Sequence, residues 1–336
     1  MASADPRRID THFHSVPTVY RKALVAANAR VRIPDWSPDL SLKFMDHAGI
    51  AAAVASLSIP GVHLGDDAKA RDLARACNEE HAEMMTRYPR LGAVATLPLP
   101  DIDGACTEAI YALDVLKLDG VGLLTNYGGK YLGDPSFEPV LDILNARSAT
   151  VPLHPAVHPS SALVPLRAHP SWLEYPFDTT RTAVSLVLAD AVERFPNINF
   201  IMPHAGGTLP FLSWRLSELI NWQVAQPMEQ ALRDRFSSPL TERYGETLSA
   251  RRITELFGRF WYDTALAPGR ASFGALTAIA DPSKIVFGSD WPYAYDVIID
   301  QGVAELTQDG LLTSDQQVAI DHGNALRLFP RFKGVH

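Results

Sequence analysis

The chain has 336 residues, 47% of them hydrophobic and 20% charged, with a formal net charge of −8. That balance is soluble and supplies a large core, and the length suits either one barrel with insertions or two ordinary domains. With no basic tract, nucleic acid and anionic membranes are excluded as partners, and no apolar run reaches the ~18 residues a membrane span needs.

Residues 1–8 are polar and lack an apolar signal core, so a soluble, reducing, cytoplasmic setting is expected. The two cysteines, Cys77 and Cys106, both fall in segments of helical pattern. Two thiols make no disulfide framework in a chain of this length, and any metal site must draw on nitrogen and oxygen ligands.

Short apolar runs at 9–14, 52–58, 91–97, 120–125, 150–154, 199–204, 260–264 and 284–289 read as eight strands. Between them, helical apolar spacing covers 68–88, 104–118, 135–146, 179–195, 249–256 and 271–280, and a closing helix is expected over 313–332. Tyr88-Pro89, Phe195-Pro196 and Asp281-Pro282 stop helices just before strands. Strands alternating with helices imply parallel pairing through right-handed crossovers. Two stretches break the repeat, residues 15–41 after the first strand and residues 155–177 after the fifth, the latter with five prolines. Both are long excursions at strand C-terminal ends, where a barrel keeps its active-site loops.

His12 and His14 lie two apart on the first strand, so both side chains can reach one ion from the same side. His154 ends the fifth strand, His204 the sixth and Asp290 the eighth. An open sheet would spread these five residues widely, whereas a closed barrel gathers all strand ends at one mouth. The expected fold is therefore an α/β, distorted (β/α)8 TIM barrel with insertions in its strand-to-helix loops, as a single domain over 1–336. Imidazoles with one carboxylate suit one divalent ion, Zn²⁺ first and Mn²⁺ or Fe²⁺ next. A further histidine beside an open coordination position is poised as general acid or base. His204 takes that role here because Ala205-Gly206-Gly207 leaves room beside its ring, although His154 and His204 could exchange roles. His158 reads as a solvated loop residue, and His47, His63, His81, His169, His322 and His336 as structural or surface residues.

Together the stretches at 9–14, His154-Pro155, His204-Ala205-Gly206-Gly207 and Gly288-Ser289-Asp290-Trp291-Pro292 resemble the amidohydrolase superfamily. More narrowly the chain resembles the aminocarboxymuconate semialdehyde decarboxylase branch. Met45-Asp46 with Gly49-Ile50, Leu97-Pro98-Leu99-Pro100-Asp101, Leu124-Thr125-Asn126-Tyr127-Gly128-Gly129 and Phe177-Asp178-Thr179-Thr180-Arg181 extend the match to its 6-methylsalicylate decarboxylase-like subgroup. The resemblance implies a metal-dependent, non-oxidative decarboxylase of an aromatic, hydroxybenzoate-like acid. It gives His12, His14, His154 and Asp290 as metal ligands and His204 as the acid/base. Asp290 is the alternative proton relay. Arg215, eleven residues past His204, matches an arginine that reaches the substrate carboxylate of the neighbouring subunit, which implies a homodimer. The loop after the first strand is shorter than in muconate-type relatives, with Arg30 or Arg32 as its candidate clamp. The fourth strand ends Leu123-Leu124-Thr125-Asn126 without a bridging lysine, so one metal is expected. Tyr127, Trp291 and Tyr293 adjoin the motifs and could wall in a flat substrate. The rivals are a metal-dependent hydrolase of a lactone or amide and a metal-stabilised binding protein.

Overall fold

The computed structural model describes residues 7–225, 237–308 and 310–335. His336 and residues 1–6 of the polar start lie outside them. Among the described residues, eight parallel strands follow one another: β1 (Arg8–His14), β2 (Ile50–Ser56), β3 (Leu91–Ala93), β4 (Leu123–Leu124), β5 (Thr150–His154), β6 (Asn199–Met202), β7 (Trp261–Asp263) and β8 (Ile285–Val286). They pair as β1-β2-β3 and as β4 through β8 in sequence order. Two seams join these sheets. At one, Ala95 bridges Val121, the Ala95 amide donates to Gly120 O at 2.9 Å and the Gly122 amide to Ala95 O at 2.8 Å. At the other, Phe13 bridges Trp291, the Thr11 amide donates to Phe287 O at 2.9 Å and the His14 amide to Trp291 O at 2.7 Å. The architecture is a (β/α)8 barrel, distorted where these seams replace regular ladders.

The strands are buried on both faces, as parallel strands covered by helices must be. Ile9, Ala52, Val54, Val94, Ile201, Trp261 and Val286 form one cluster with Ala325, Leu328, Phe329 and Phe332, so the C-terminal segment packs across the strands. Asn324 pins that segment, its Nδ2 donating to Pro282 O at 2.8 Å and Ile285 O at 2.7 Å. The expected closing helix over 313–332 is broken into Ser314–Val318, a wide turn at Ala319–Gly323 and Ala325–Leu328.

Proline hides helices in both excursions. Residues 15–41 contain the helix Thr18–Ala26, whose Tyr20 and Leu24 are buried one turn apart, and the start of Pro38–Ala48. The latter has Ser37 capping the Leu40 amide, Pro38 in its first turn and Gly49 at φ 67° beyond its end. Residues 155–177 end in a helix that runs Pro170–Leu188, starting nine residues before the expected 179. Pro170 sits in its first turn, where its missing N–H costs nothing; Pro176 sits in its interior and forgoes one helical hydrogen bond. Leu209–Ala225 and Asp296–Leu306 are further helices that the spacing did not single out.

Candidate metal centre

Four side chains converge at the C-terminal mouth of the barrel. One ligand atom from each of His12, His14, His154 and Asp290 lies within 4.8 Å of the other three, and all four residues are buried. Asp290 reaches β1 because the loop after β8 is zipped along that strand. Its amide donates to His12 O at 2.8 Å, and the Ser289 amide donates to Asp10 Oδ1 at 3.1 Å. Asp290 itself adopts φ 64°, a left-handed conformation that costs roughly 1–3 kcal/mol in a non-glycine residue and aims its carboxylate inward. Oδ1 then lies 3.0 Å from His14 Nε2 and 3.5 Å from His12 Nε2.

Each imidazole is oriented from behind. His12 Nδ1 lies 2.7 Å from Asp263 Oδ2 at the end of β7. His14 Nδ1 lies 3.2 Å from Ser56 Oγ on β2. His154 Nδ1 donates to Pro155 O at 2.8 Å, and its Nε2 lies 3.1 Å from Ser58 Oγ. Partners on Nδ1 of this kind fix the tautomer that presents the Nε2 lone pair to a cation. His12 Nε2 is buried with no hydrogen-bond partner, a costly state for a polar atom unless an ion meets it. The donor set of three imidazoles and one carboxylate, closely grouped and with that orphaned nitrogen, fits a divalent metal ion.

At His14, His154 and Asp290 the electrostatics point the same way. Burial pushes the His14 imidazole down, and burial with the neighbouring imidazoles pushes His154 well below the usual histidine range. Both are thereby held in the neutral form that binds metals. Burial would raise Asp290, but the surrounding histidines outweigh it and keep the carboxyl well below the usual carboxylate range. Burial also opposes charge on His12, yet Asp263 and Asp290 together raise it well above normal. Beneath the cluster, burial pushes the Asp10 carboxyl up to about 7 despite hydrogen bonds from Ser289 and the His12 amide.

His204 stands beside this cluster. Its ring stacks on His12 at 5.0 Å between centroids and 29° between planes, and its Nε2 lies 3.7 Å from Asp290 Oδ2. That nitrogen is buried without a hydrogen bond. The placement depends on a run of left-handed residues: His204 and Ala205 at φ 54°, Gly206 at 77° and Gly207 at 64°. The glycines answer close approaches as well. A Cβ on Gly206 would meet the Tyr262 ring at 2.6 Å, and one on Gly207 would meet Pro176 O at 2.1 Å. The His204 amide donates to Asp263 Oδ1 at 2.9 Å, so one carboxylate holds both His204 and His12.

The adjoining pocket is lined by His12, His14 and His154, by the apolar Leu57, Leu97, Leu99 and Leu124, by Ser58 and Thr96, and by Tyr127. Tyr293 packs edge-on against His14 at 5.2 Å. Tyr175 packs against His154 at 6.0 Å and, like Tyr293, has its phenol pushed up to about 12 by burial and the Asp290 charge. Trp291 is placed otherwise. Its ring is sandwiched between Phe13 at 5.0 Å and Phe44 at 4.9 Å, in the packing behind β1. Arg215 is exposed on the helix Leu209–Ala225 and is not brought to the pocket of its own chain. Arg30 is exposed, and Arg32 donates to Tyr293 O at 2.8 Å. Asp263, Ser58 and Tyr175 are site neighbours that the sequence did not single out.

The amidohydrolase family profile matches residues 9–331. The chain belongs to the amidohydrolase family. A relative within it, the 6-methylsalicylic acid decarboxylase of Penicillium expansum, is 31% identical over 98% of each chain. Among solved structures, an amidohydrolase II superposes with a TM-score of 0.81 at 30% identity, covering 96% of this chain and 99% of the other. A dihydroxybenzoic acid decarboxylase from Polaromonas, solved with bound manganese and 2-nitroresorcinol, shares the fold at a TM-score of 0.76 and 21% identity, covering 96% of each chain.

Proposed function

We propose that this amidohydrolase is a metal-dependent carboxy-lyase that removes CO₂ from a hydroxybenzoate-like acid of the 6-methylsalicylate type. The observation that carries this reading is His204 Nε2, buried and unpaired 3.7 Å from Asp290 beside a four-donor metal cluster whose three histidines also line a pocket walled by leucines and Tyr127. His12, His14, His154 and Asp290 hold the ion, Zn²⁺ by donor preference with Mn²⁺ as the alternative. When bound, the ion supplies Lewis-acid and templating chemistry to the substrate's oxygens. His204 then delivers a proton to the ring carbon bearing the carboxylate. As that carbon becomes tetrahedral, the bond to the carboxylate breaks, CO₂ leaves and the electron pair restores the aromatic ring. The leucines and Tyr127 keep the flat ring in place and water out. Both cysteines are unpaired, which suits a reducing cytoplasm.

Zn²⁺- or Mn²⁺-loaded protein is expected to release CO₂ from 6-methylsalicylate or 2,6-dihydroxybenzoate. Chelation should abolish the activity and readdition of either ion should restore it, followed by CO₂ detection and metal analysis. Inertness toward every hydroxybenzoate, together with hydrolysis of a lactone, would replace this reading with the hydrolase.

Among the described residues no lysine or arginine lines the pocket, so none of them offers a substrate carboxylate a fixed cation there. We infer that Arg215 of a second copy supplies one. On the helix Leu209–Ala225, Phe211, Trp214 and Trp222 share a face with Arg215 and are 83%, 74% and 59% exposed. Two tryptophans and a phenylalanine in water at helical spacing form a surface that a homodimer would cover. Trp214→Glu is expected to halve the sedimenting mass and to depress turnover. A dimer that persists in this variant would remove the face from the contact.

A further inference from the structure

Two sequence motifs lie outside the metal cluster, the stretch at 124–129 and the stretch at 177–181. The structure joins them through one buried carboxylate. Asp178, 3% exposed on the helix Pro170–Leu188, accepts hydrogen bonds from Thr125 Oγ1, from Asn126 Nδ2 at 2.9 Å and from Tyr131 OH at 2.9 Å. Thr125 and Asn126 also grip the loop beyond β5. The Ala156 amide donates to Thr125 Oγ1 at 2.8 Å, and Asn126 Nδ2 donates to Ala156 O at 2.9 Å. Ala156 lies two residues past His154. Thr182, one helical turn beyond Asp178, donates from Oγ1 to Thr125 O at 2.6 Å.

Asn126–Tyr127 and Lys130–Tyr131 form a small antiparallel hairpin. Its Tyr127 lines the pocket and accepts the Leu124 amide at 2.9 Å on its hydroxyl. Asp178 therefore fastens one pocket wall and the loop behind a metal-site histidine to a single helix. All three of its donors are neutral. Among the described residues no cation pairs with this carboxylate directly, Arg181 reaching Tyr131 instead; burying it so is costly, and an apolar residue of similar shape would fill the space without that cost. The use of the charge lies in what it orients, since three donors from two segments converge on two oxygens.

We propose that Asp178 is a positioning residue that sets the Tyr127 wall against the pocket and thereby selects a flat aromatic acid. The identity of that ligand rests on the proposed decarboxylase function; the clamp does not. The test compares Asp178→Asn and Tyr131→Phe with wild type as Zn²⁺-loaded proteins. For Asp178→Asn, KM for 6-methylsalicylate is expected to rise at least about tenfold, with kcat within about threefold and metal content unchanged. Tyr131→Phe, which removes one donor and keeps the carboxylate, is expected to move KM the same way by a smaller factor. Amides 125–131 should exchange hydrogen faster in both variants while the strands stay protected. A purely structural role would lower the melting temperature and leave KM of the folded enzyme untouched. That result, or unchanged exchange across 125–131, overturns the proposal. If wild type decarboxylates no aromatic acid but opens a lactone, the decarboxylase reading fails; KM is then read on the lactone, and the clamp is judged on that and on exchange.

Discussion

His204→Ala is expected to lower kcat on the decarboxylated substrate by about 10²–10⁴-fold while one metal ion per chain remains bound. The size follows from the role: a positioned proton donor contributes a factor of that order, and of the two unpaired histidine nitrogens beside Asp290, His12 Nε2 at 3.5 Å belongs to the metal cluster whereas His204 Nε2 at 3.7 Å does not. The specificity follows from geometry. His204 Nε2 is 3.7 Å from Asp290 Oδ2, whereas the four cluster atoms are grouped without it. Its left-handed backbone, at a cost of roughly 1–3 kcal/mol, is hard to account for unless the ring must point into the mouth. Metal analysis alongside steady-state kinetics separates the outcomes. Loss of metal with loss of activity would move His204 into the ligand set and release His154 as the proton carrier. Retained turnover would remove His204 from the chemistry altogether.

The interchange of His154 and His204 marks how far the sequence reaches. His12 and His14 are legible because strand geometry puts alternate residues on one side. His154, His204 and Asp290 are legible because each closes an apolar run, and a barrel brings such ends together. The sequence spacing leaves His154 and His204 interchangeable. In the structure their placement differs: His154 reaches the cluster from the regular end of β5, and His204 sits on a left-handed turn beside it. Helices at 18–26, 38–48 and 170–178 were masked by prolines that precede a helix (Pro17), sit in its first turn (Pro38, Pro170) or lie inside it (Pro176). Trp291 adjoins the Asp290 motif in sequence, but the loop that turns the carboxylate inward sends the indole the other way, between Phe13 and Phe44. Asp263 was illegible for a different reason. Trp-Tyr-Asp-Thr carries no motif, and its partner His12 is 251 residues away in sequence.

Asp263→Asn is expected to weaken metal binding by about 10–100-fold, equivalent to about 1.4–2.8 kcal/mol. The carboxylate does two jobs with acceptor atoms alone: Oδ2 faces His12 Nδ1 at 2.7 Å and Oδ1 takes the His204 amide at 2.9 Å. It also takes the Ala265 amide, at 3.0 Å on Oδ1. An asparagine of the same shape has one acceptor and one donor group, so it cannot serve both sides. With its oxygen toward the two amides, its NH₂ faces His12 Nδ1 and moves the ring proton to Nε2, where a cation must compete with it. With the orientation reversed, NH₂ meets the His204 and Ala265 amides donor to donor, and the turn carrying His204 loses its anchor. The first arrangement leaves two amides satisfied and is the less costly. The expected signature is therefore weaker metal affinity, measured by competition with a chelator, and a His12 whose ring proton resides on Nε2 by nitrogen NMR of the metal-free protein. Saturating metal should recover most of the turnover, because His204 keeps its place. Unchanged affinity would mean that His12 is held by its packing alone, and a loss of turnover that excess metal does not recover would show that Asp263 acts chiefly through His204.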